Sequence, residues 1–227
     1  MDWVVVGFAG VIGRPPSQDE LARLPAALDA APERFWPVYR QARADYDRGV
    51  VDAAGFWGEV CGLLGRVATL RMLDTLLALD LDVWSHVDRD MIGVATEIAG
   101  RGLPVALLSD ASVELARHLD AQSWSGLFAH RFFSADLRRL LPDPEIFRLV
   151  CEKLGALPAD VLLIDADARV IDAARTAGLA TLACTTPDRL RADLATLLPS
   201  PAQRRPAART RRIRPLPTPK DAPGLLT

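Results

Sequence analysis

The chain has 227 residues, half of them hydrophobic, and a formal net charge of −2. That length holds one large domain or a core with a smaller insert. The near-balanced charge gives no reason to expect nucleic-acid binding by the folded part. No apolar stretch is long enough to span a bilayer, and no basic segment precedes the short apolar run at the N-terminus. Neither a membrane span nor a signal peptide is therefore expected. Cys61, Cys151 and Cys184 are odd in number and far apart. They fit reduced thiols in a cytoplasmic protein rather than a disulfide framework.

The first stretch, Trp3-Val-Val-Val-Gly-Phe-Ala-Gly-Val-Ile12, reads as a strand covered on both faces, broken by Arg14-Pro15-Pro16. Residues 14–88 show helical spacing and no strand. Phe35, Tyr39, Ala42 and Tyr46 share one face, with a stop at Asp47-Arg48-Gly49. Phe56, Trp57, Val60, Cys61 and Leu64 form a second apolar face, and Leu70, Leu73, Leu76 and Leu77 a third. These stripes read as the core of a small helical subdomain inserted after the first strand.

From residue 89 the pattern becomes strand–helix alternation. Strands are expected at 103–108, 131–133, 161–164 and 179–183. Helices are expected at 92–99, 113–119, 144–154 and from about 168 to Gly178. Asp143 can cap the helix that Pro144 opens, and Gly155 closes it. Such alternation implies a doubly wound parallel sheet. Residues 199–227 differ: seven basic residues and the single acid Asp221, among prolines, give this tail +6 and leave −8 for the rest. With few large apolar residues the tail is expected to be disordered. It is either a solvated tail or an arm for an acidic partner.

Three stretches resemble the haloacid dehalogenase-like (HAD) superfamily, over nearly all of residues 3–190. Leu141-Pro-Asp-Pro-Glu-Ile-Phe147 is one residue from the Lys-Pro-Asp-Pro-Glu-Ile-Phe signature of a helical-cap subgroup that includes epoxide-hydrolase N-terminal phosphatase domains. Leu107-Leu-Ser-Asp-Ala111 resembles the second motif, and Val161 to Gly178 the last. The resemblance implies a Rossmannoid core of residues 1–13 and 89–198, with a helical cap over 14–88. It also places strand ends at 7, 109, about 141 and 165.

Position by position, the catalytic groups that the resemblance implies are missing. Gly7 stands where the aspartate nucleophile belongs, Ala9 where the acid/base aspartate belongs and Leu141 where the lysine belongs. Ala166 replaces one of the paired metal-binding acids, leaving Asp165. Ser109 is kept as the phosphate-binding hydroxyl, but the asparagine expected after it is Asp110. A buried lysine stripped of its carboxylates would cost several kcal/mol, so its loss together with them is coherent.

Asp110, Asp165 and Asp167 read either as a reduced site for a divalent ion or, for Asp110 and Asp167, as acids at helix N-termini. Arg138 and Arg139 read as a solvated basic turn or as a substitute cation. His86, His118 and His130 stand at no triad spacing, which leaves Ser109 without a base. The expectation is a catalytically inactive HAD-like protein, with no cofactor, that binds a small ligand or a protein partner. The alternative is a divergent hydrolase of a small phosphorylated or halogenated substrate, using Mg2+.

Overall fold

The computed structural model describes residues 1–198; the basic tail lies outside the described residues. The apolar run Trp3–Gly7 forms β1, the middle of a five-stranded parallel sheet. The others are β2 (Val105–Ser109), β3 (His130–Phe133), β4 (Val161–Asp165) and β5 (Ala180–Ala183), in the order β3-β2-β1-β4-β5. Val5 pairs with Ala106 on one side and Leu163 on the other. Both edges of β1 are thus used, and both faces are covered, which explains an unbroken β-branched run.

Side-chain alternation divides that run between two cores. Val4 and Val6 join Met91, Val94 and Ile98 of α5 (Arg89–Gly100), Leu115 of α6 (Val113–Asp120), and Leu190 of α10 (Pro187–Leu197). Val5 faces Ile146, Phe147 and Val150 of α8 (Pro144–Leu154) and Val170 of α9 (Ala168–Thr176). This is the doubly wound α/β sheet that the strand–helix alternation predicts. Asp143 caps α8 through the Glu145 N–H, and Gly155 closes it at φ +63°, as expected from sequence.

Between the first strand and α5 stand four helices rather than the three read from apolar spacing. They are α1 (Gln18–Ala27), α2 (Pro32–Asp47), α3 (Ala53–Leu63) and α4 (Leu70–Trp84). The overlooked α1 carries Leu21 and Leu24 on its packed face and begins at a Ser17/Glu20 capping box. Phe35, Tyr46, Phe56, Trp57 and Leu76 are fully buried in this layer's own core. The chain leaves and re-enters the sheet through two adjacent passages: the Asp88 N–H donates to Ile12 O at 2.8 Å and the Arg14 N–H to His86 O at 3.1 Å. The helix α10 was also not anticipated.

One strand end is corrected. Residue 141 is not at a strand terminus, because β3 stops at Phe133 and the short α7 (Ser134–Leu137) intervenes. Leu141 lies in the loop before α8, ahead of a cis Leu141–Pro142 bond.

The helical layer is fixed to the sheet by polar contacts. The buried Ser134 hydroxyl donates to Asp47 O at 2.6 Å and accepts from the Ala111 N–H at 2.9 Å. The Ala53 N–H at the start of α3 donates to Glu114 Oε1 at 2.9 Å. Ser134→Ala strands one donor and one acceptor, and is expected to lower stability by about 1–3 kcal/mol in urea unfolding. A loss under about 0.5 kcal/mol would show that water replaces the hydroxyl at both partners.

Candidate functional site at the strand ends

The chain runs from β1 to β2 and β3 on one side, then returns to β4 on the other. The crevice at the carboxyl ends of β1 and β4 is therefore a topological switch point, where α/β sheets bind ligands. The ends of three adjacent strands put Gly7, Ser109 and Asp165 beside it.

Asp165 is 5% exposed. Its Oδ1 accepts from the Asp167 N–H at 2.8 Å, because the chain turns there into α9. Its Oδ2 lies over Gly7. A Cβ placed on Gly7 would overlap that oxygen and stand 3.0 Å from Asp165 Cγ. Burial pushes the Asp165 carboxyl up to about 6, against the pull of the Asp167 and Ala166 N–H groups.

Asp110 accepts from the Leu141 N–H, at 3.0 Å through Oδ1 and 3.2 Å through Oδ2. It thereby ties the loop after β2 to the loop before α8. Burial pushes its carboxyl up to about 7; the Leu141 N–H opposes this, and the charges of Asp47 and Asp165 add to it. The cap of α6 is Ser112, so Asp110 is not the N-terminal acid of that helix. Asp167 does cap α9, accepting from the Arg169 N–H at 2.8 Å, and it pairs with the Arg169 guanidinium at 2.6 Å. The Ser109 hydroxyl is buried and donates to Asp110 O at 3.0 Å.

Ala9 and Ala166 are exposed at the rim, and Leu141 packs against the core on the Val5 side. The turn at Gly10, with φ +72°, runs so close to Ala166 that a Cβ there would meet the alanine methyl at 3.1 Å. Neither arginine of the turn before α8 reaches the carboxylates. Arg138 donates to Gly49 O, and Arg139 pairs with Asp143 at 3.3 Å. His86 sits 3.1 Å from Glu20, His118 bonds Gln122, and His130 packs edge-on against Trp3. Burial pushes all three cysteine thiols up, so none is a ready nucleophile.

A family model for haloacid dehalogenase-like hydrolases matches residues 14–178. The chain belongs to that family. No curated protein sequence matches it. Among solved structures, a HAD-like family hydrolase from Porphyromonas gingivalis is similar at a TM-score of 0.70, with 16% identity over 87% of this chain and 98% of that one. A HAD family enzyme of Bacteroides thetaiotaomicron in complex with magnesium and inorganic phosphate gives 0.67, with 14% identity over 82% and 94%. The L-2-haloacid dehalogenase from Xanthobacter autotrophicus with chloropropionic acid covalently bound gives 0.57, with 22% identity over 86% and 83%. At these identities the likeness is one of fold.

Magnesium, which the HAD family implies, does not fit the residues present. No group of three or more His, Cys, Asp or Glu side chains converges among the described residues. Asp165 is a single carboxylate with one oxygen already bonded to backbone, and Gly7 and Ala166 offer no side-chain donor. Sequence reasoning read Asp47 only as part of a helix stop and missed that its charge acts on Asp110 from the end of α2. Its only signal was a place four residues after Arg43 on one helical face.

Proposed function

We propose that this HAD-like family member does not perform aspartyl-nucleophile chemistry, and acts instead by binding, as a ligand-binding, regulatory or protein-interaction module. The observation that carries this reading is the Asp165 carboxylate lying over Gly7. A nucleophile on β1 needs the volume which that carboxylate fills. As it lies, that carboxylate takes the place of a residue-7 side chain, and a side chain there requires Asp165 to turn away.

The electrostatics agree. A phosphate monoester reaching these strand ends would face Asp110 and Asp165 with no arginine or lysine bonded to either among the described residues. Stabilisation of developing negative charge is usually the largest catalytic contribution, and here the sign is wrong. Leu141 supplies packing where a cation would be needed.

The test is hydrolysis of p-nitrophenyl phosphate and 2-chloropropionate with and without magnesium, for the native chain and for Gly7→Asp/Leu141→Lys/Ala166→Asp. The native chain is expected to give no product above the protein-free rate. The triple variant regains activity only if Asp165 rotates away from residue 7. Native turnover of about 1 s−1 or faster, an ordinary enzymatic rate, would overturn the proposal.

A second reading is a divergent hydrolase of a small phosphorylated or halogenated substrate. Kinship to a hydrolase family favours it, as do two carboxyls, Asp110 and Asp165, that titrate near 7 and 6. Such values suit a general acid and base acting on water. Under this reading the native chain shows turnover with a bell-shaped pH profile, abolished by Asp165→Asn.

A further inference from the structure

We infer that the helical layer carries its own binding site for a small organic monoanion with an aromatic or aliphatic body, separate from the strand ends. Helices α1, α2 and α4 line an open cavity of about 510 Å³. Its apolar walls are Leu21, Trp36, Tyr39 and Trp84, and its polar groups are Arg40, Arg43 and Asp47. Pockets of this size, mostly apolar with a few fixed polar groups, are the usual form of a small-molecule site. Gly7, Ser109 and Asp165 do not line it; Asp47, whose charge acts on Asp110, stands between the two sites.

Helix periodicity builds the cavity. Positions 36, 40, 43 and 47 fall on one face of α2, and α1 and α4 close the sides. The floor is held by a hydrogen-bonded network spanning α2 and α4. Arg43 Nε donates to Asp47 Oδ1 at 2.8 Å, and its Nη1 donates to both oxygens of the buried Asp80 at 3.1 Å and to the Tyr39 hydroxyl. Tyr39 donates in turn to Asp80 and accepts from Trp84 Nε1 at 2.8 Å. Tyr39, Arg43 and Trp84 are therefore fixed before any ligand arrives, which lowers the cost of binding.

The sign of the ligand follows from what is left unpaired. Asp47 and Asp80 are both held by Arg43. The Nη2 group of Arg43 has no hydrogen-bond partner among the described residues, on a side chain that is 17% exposed. Arg40 is exposed and makes neither a hydrogen bond nor an ion pair among the described residues. Arg40 is thus the one charge on the lining without a partner among the described residues; the excess negative charge of Arg43, Asp47 and Asp80 lies with the buried Asp80, behind Tyr39 and Arg43. A planar carboxylate suits the guanidinium fork, and the indole and phenol walls take the apolar body. An organic cation would meet Arg40 instead. This site is independent of whether the strand ends react.

The experiment is calorimetric titration of the full chain with 1-naphthylacetate, its neutral isostere 1-naphthylacetamide and 1-naphthylmethylammonium. The acetate is expected to bind at least about tenfold more tightly than the amide or the ammonium, the equivalent of one good charge-assisted contact. Arg40→Gln, an exposed position that leaves the network intact, should remove about that tenfold preference, and Arg40→Lys should keep most of it. Equal affinity for acetate and amide, tighter binding of the ammonium, an Arg40→Gln protein that binds like the native chain, or no heat with any of the three would each overturn the inference. The hydrolysis result at the strand ends is the same in every case, so the two proposals fail separately.

Discussion

The Asp110→Asn protein is expected to melt about 4–8 °C above the native chain at pH 8 and at nearly the same temperature at pH 4. In the folded chain burial holds the Asp110 carboxyl up to about 7, while an unfolded aspartate titrates near its ordinary value of about 3.9. Between those values the folded state keeps a proton that the unfolded state has released. Its stability contribution is therefore full below about pH 4 and is lost as pH rises through about 7. Asparagine keeps an oxygen to accept the Leu141 N–H and removes a charge that faces Asp47 and Asp165. Three pH units set a ceiling of about 4 kcal/mol, and relaxation of the site should leave about half of it. For a chain of this size each kcal/mol moves the melting temperature by about 2–4 °C.

Asp165 and Asp47 are raised in the same direction by burial. The native chain should therefore be most stable in mild acid, between about pH 4 and 6. Below that range the arginine-paired acids Glu145 and Asp167, whose carboxyls are held down, begin to lose their partners' pull. A native melting temperature that is flat from pH 5 to 8, with Asp110→Asn destabilised at pH 8, would mean that the carboxylate is ionised and welcome where it sits. Thermal scans of the two proteins across that range decide the matter.

The architecture was legible because its signals are local. Val4–Val6 announces a two-sided strand by composition alone, and Asp143-Pro144 with Gly155 brackets α8 by capping chemistry. Helix α1 was missed although both its signals are local: Leu21, Leu24 and Leu28 stand at helical spacing, and Ser17 with Glu20 forms a capping box. The strand end expected near Leu141 failed because seven residues of short helix and turn separate it from Phe133, where the strand itself was read to stop. The site was legible only as a set of absences. That Gly7 lacks a side chain is written in the sequence, but that Asp165 covers it is a contact across 158 positions. The aromatic spacing at Phe35, Tyr39 and Tyr46 was read as core. Those residues are buried, yet Tyr39 also forms the floor of a cavity that its own helix cannot reveal.

The buried network under that cavity should respond very unequally to losing its two ends. Arg43 is the one cation among Arg43, Asp47 and Asp80, so the trio carries an excess negative charge. It also stacks over Tyr46, Tyr39 and Phe56 at 5.3, 5.4 and 5.8 Å from the ring centres. Arg43→Met strands two carboxylates in the interior, and is expected to cost about 3–5 kcal/mol at pH 7, the usual result of breaking a buried pair. Asp80→Asn leaves a neutral Arg43–Asp47 pair, and the amide oxygen still accepts from Tyr39 or Arg43. Its cost should be about 1 kcal/mol. The Arg43→Met loss should shrink at pH 5, because carboxyls without their cation titrate higher and can take up protons there. Urea midpoints at pH 7 and 5 read both comparisons. Equal losses for the two variants, or an Arg43→Met loss that ignores pH, would place the stabilisation in packing around the guanidinium stem rather than in charge.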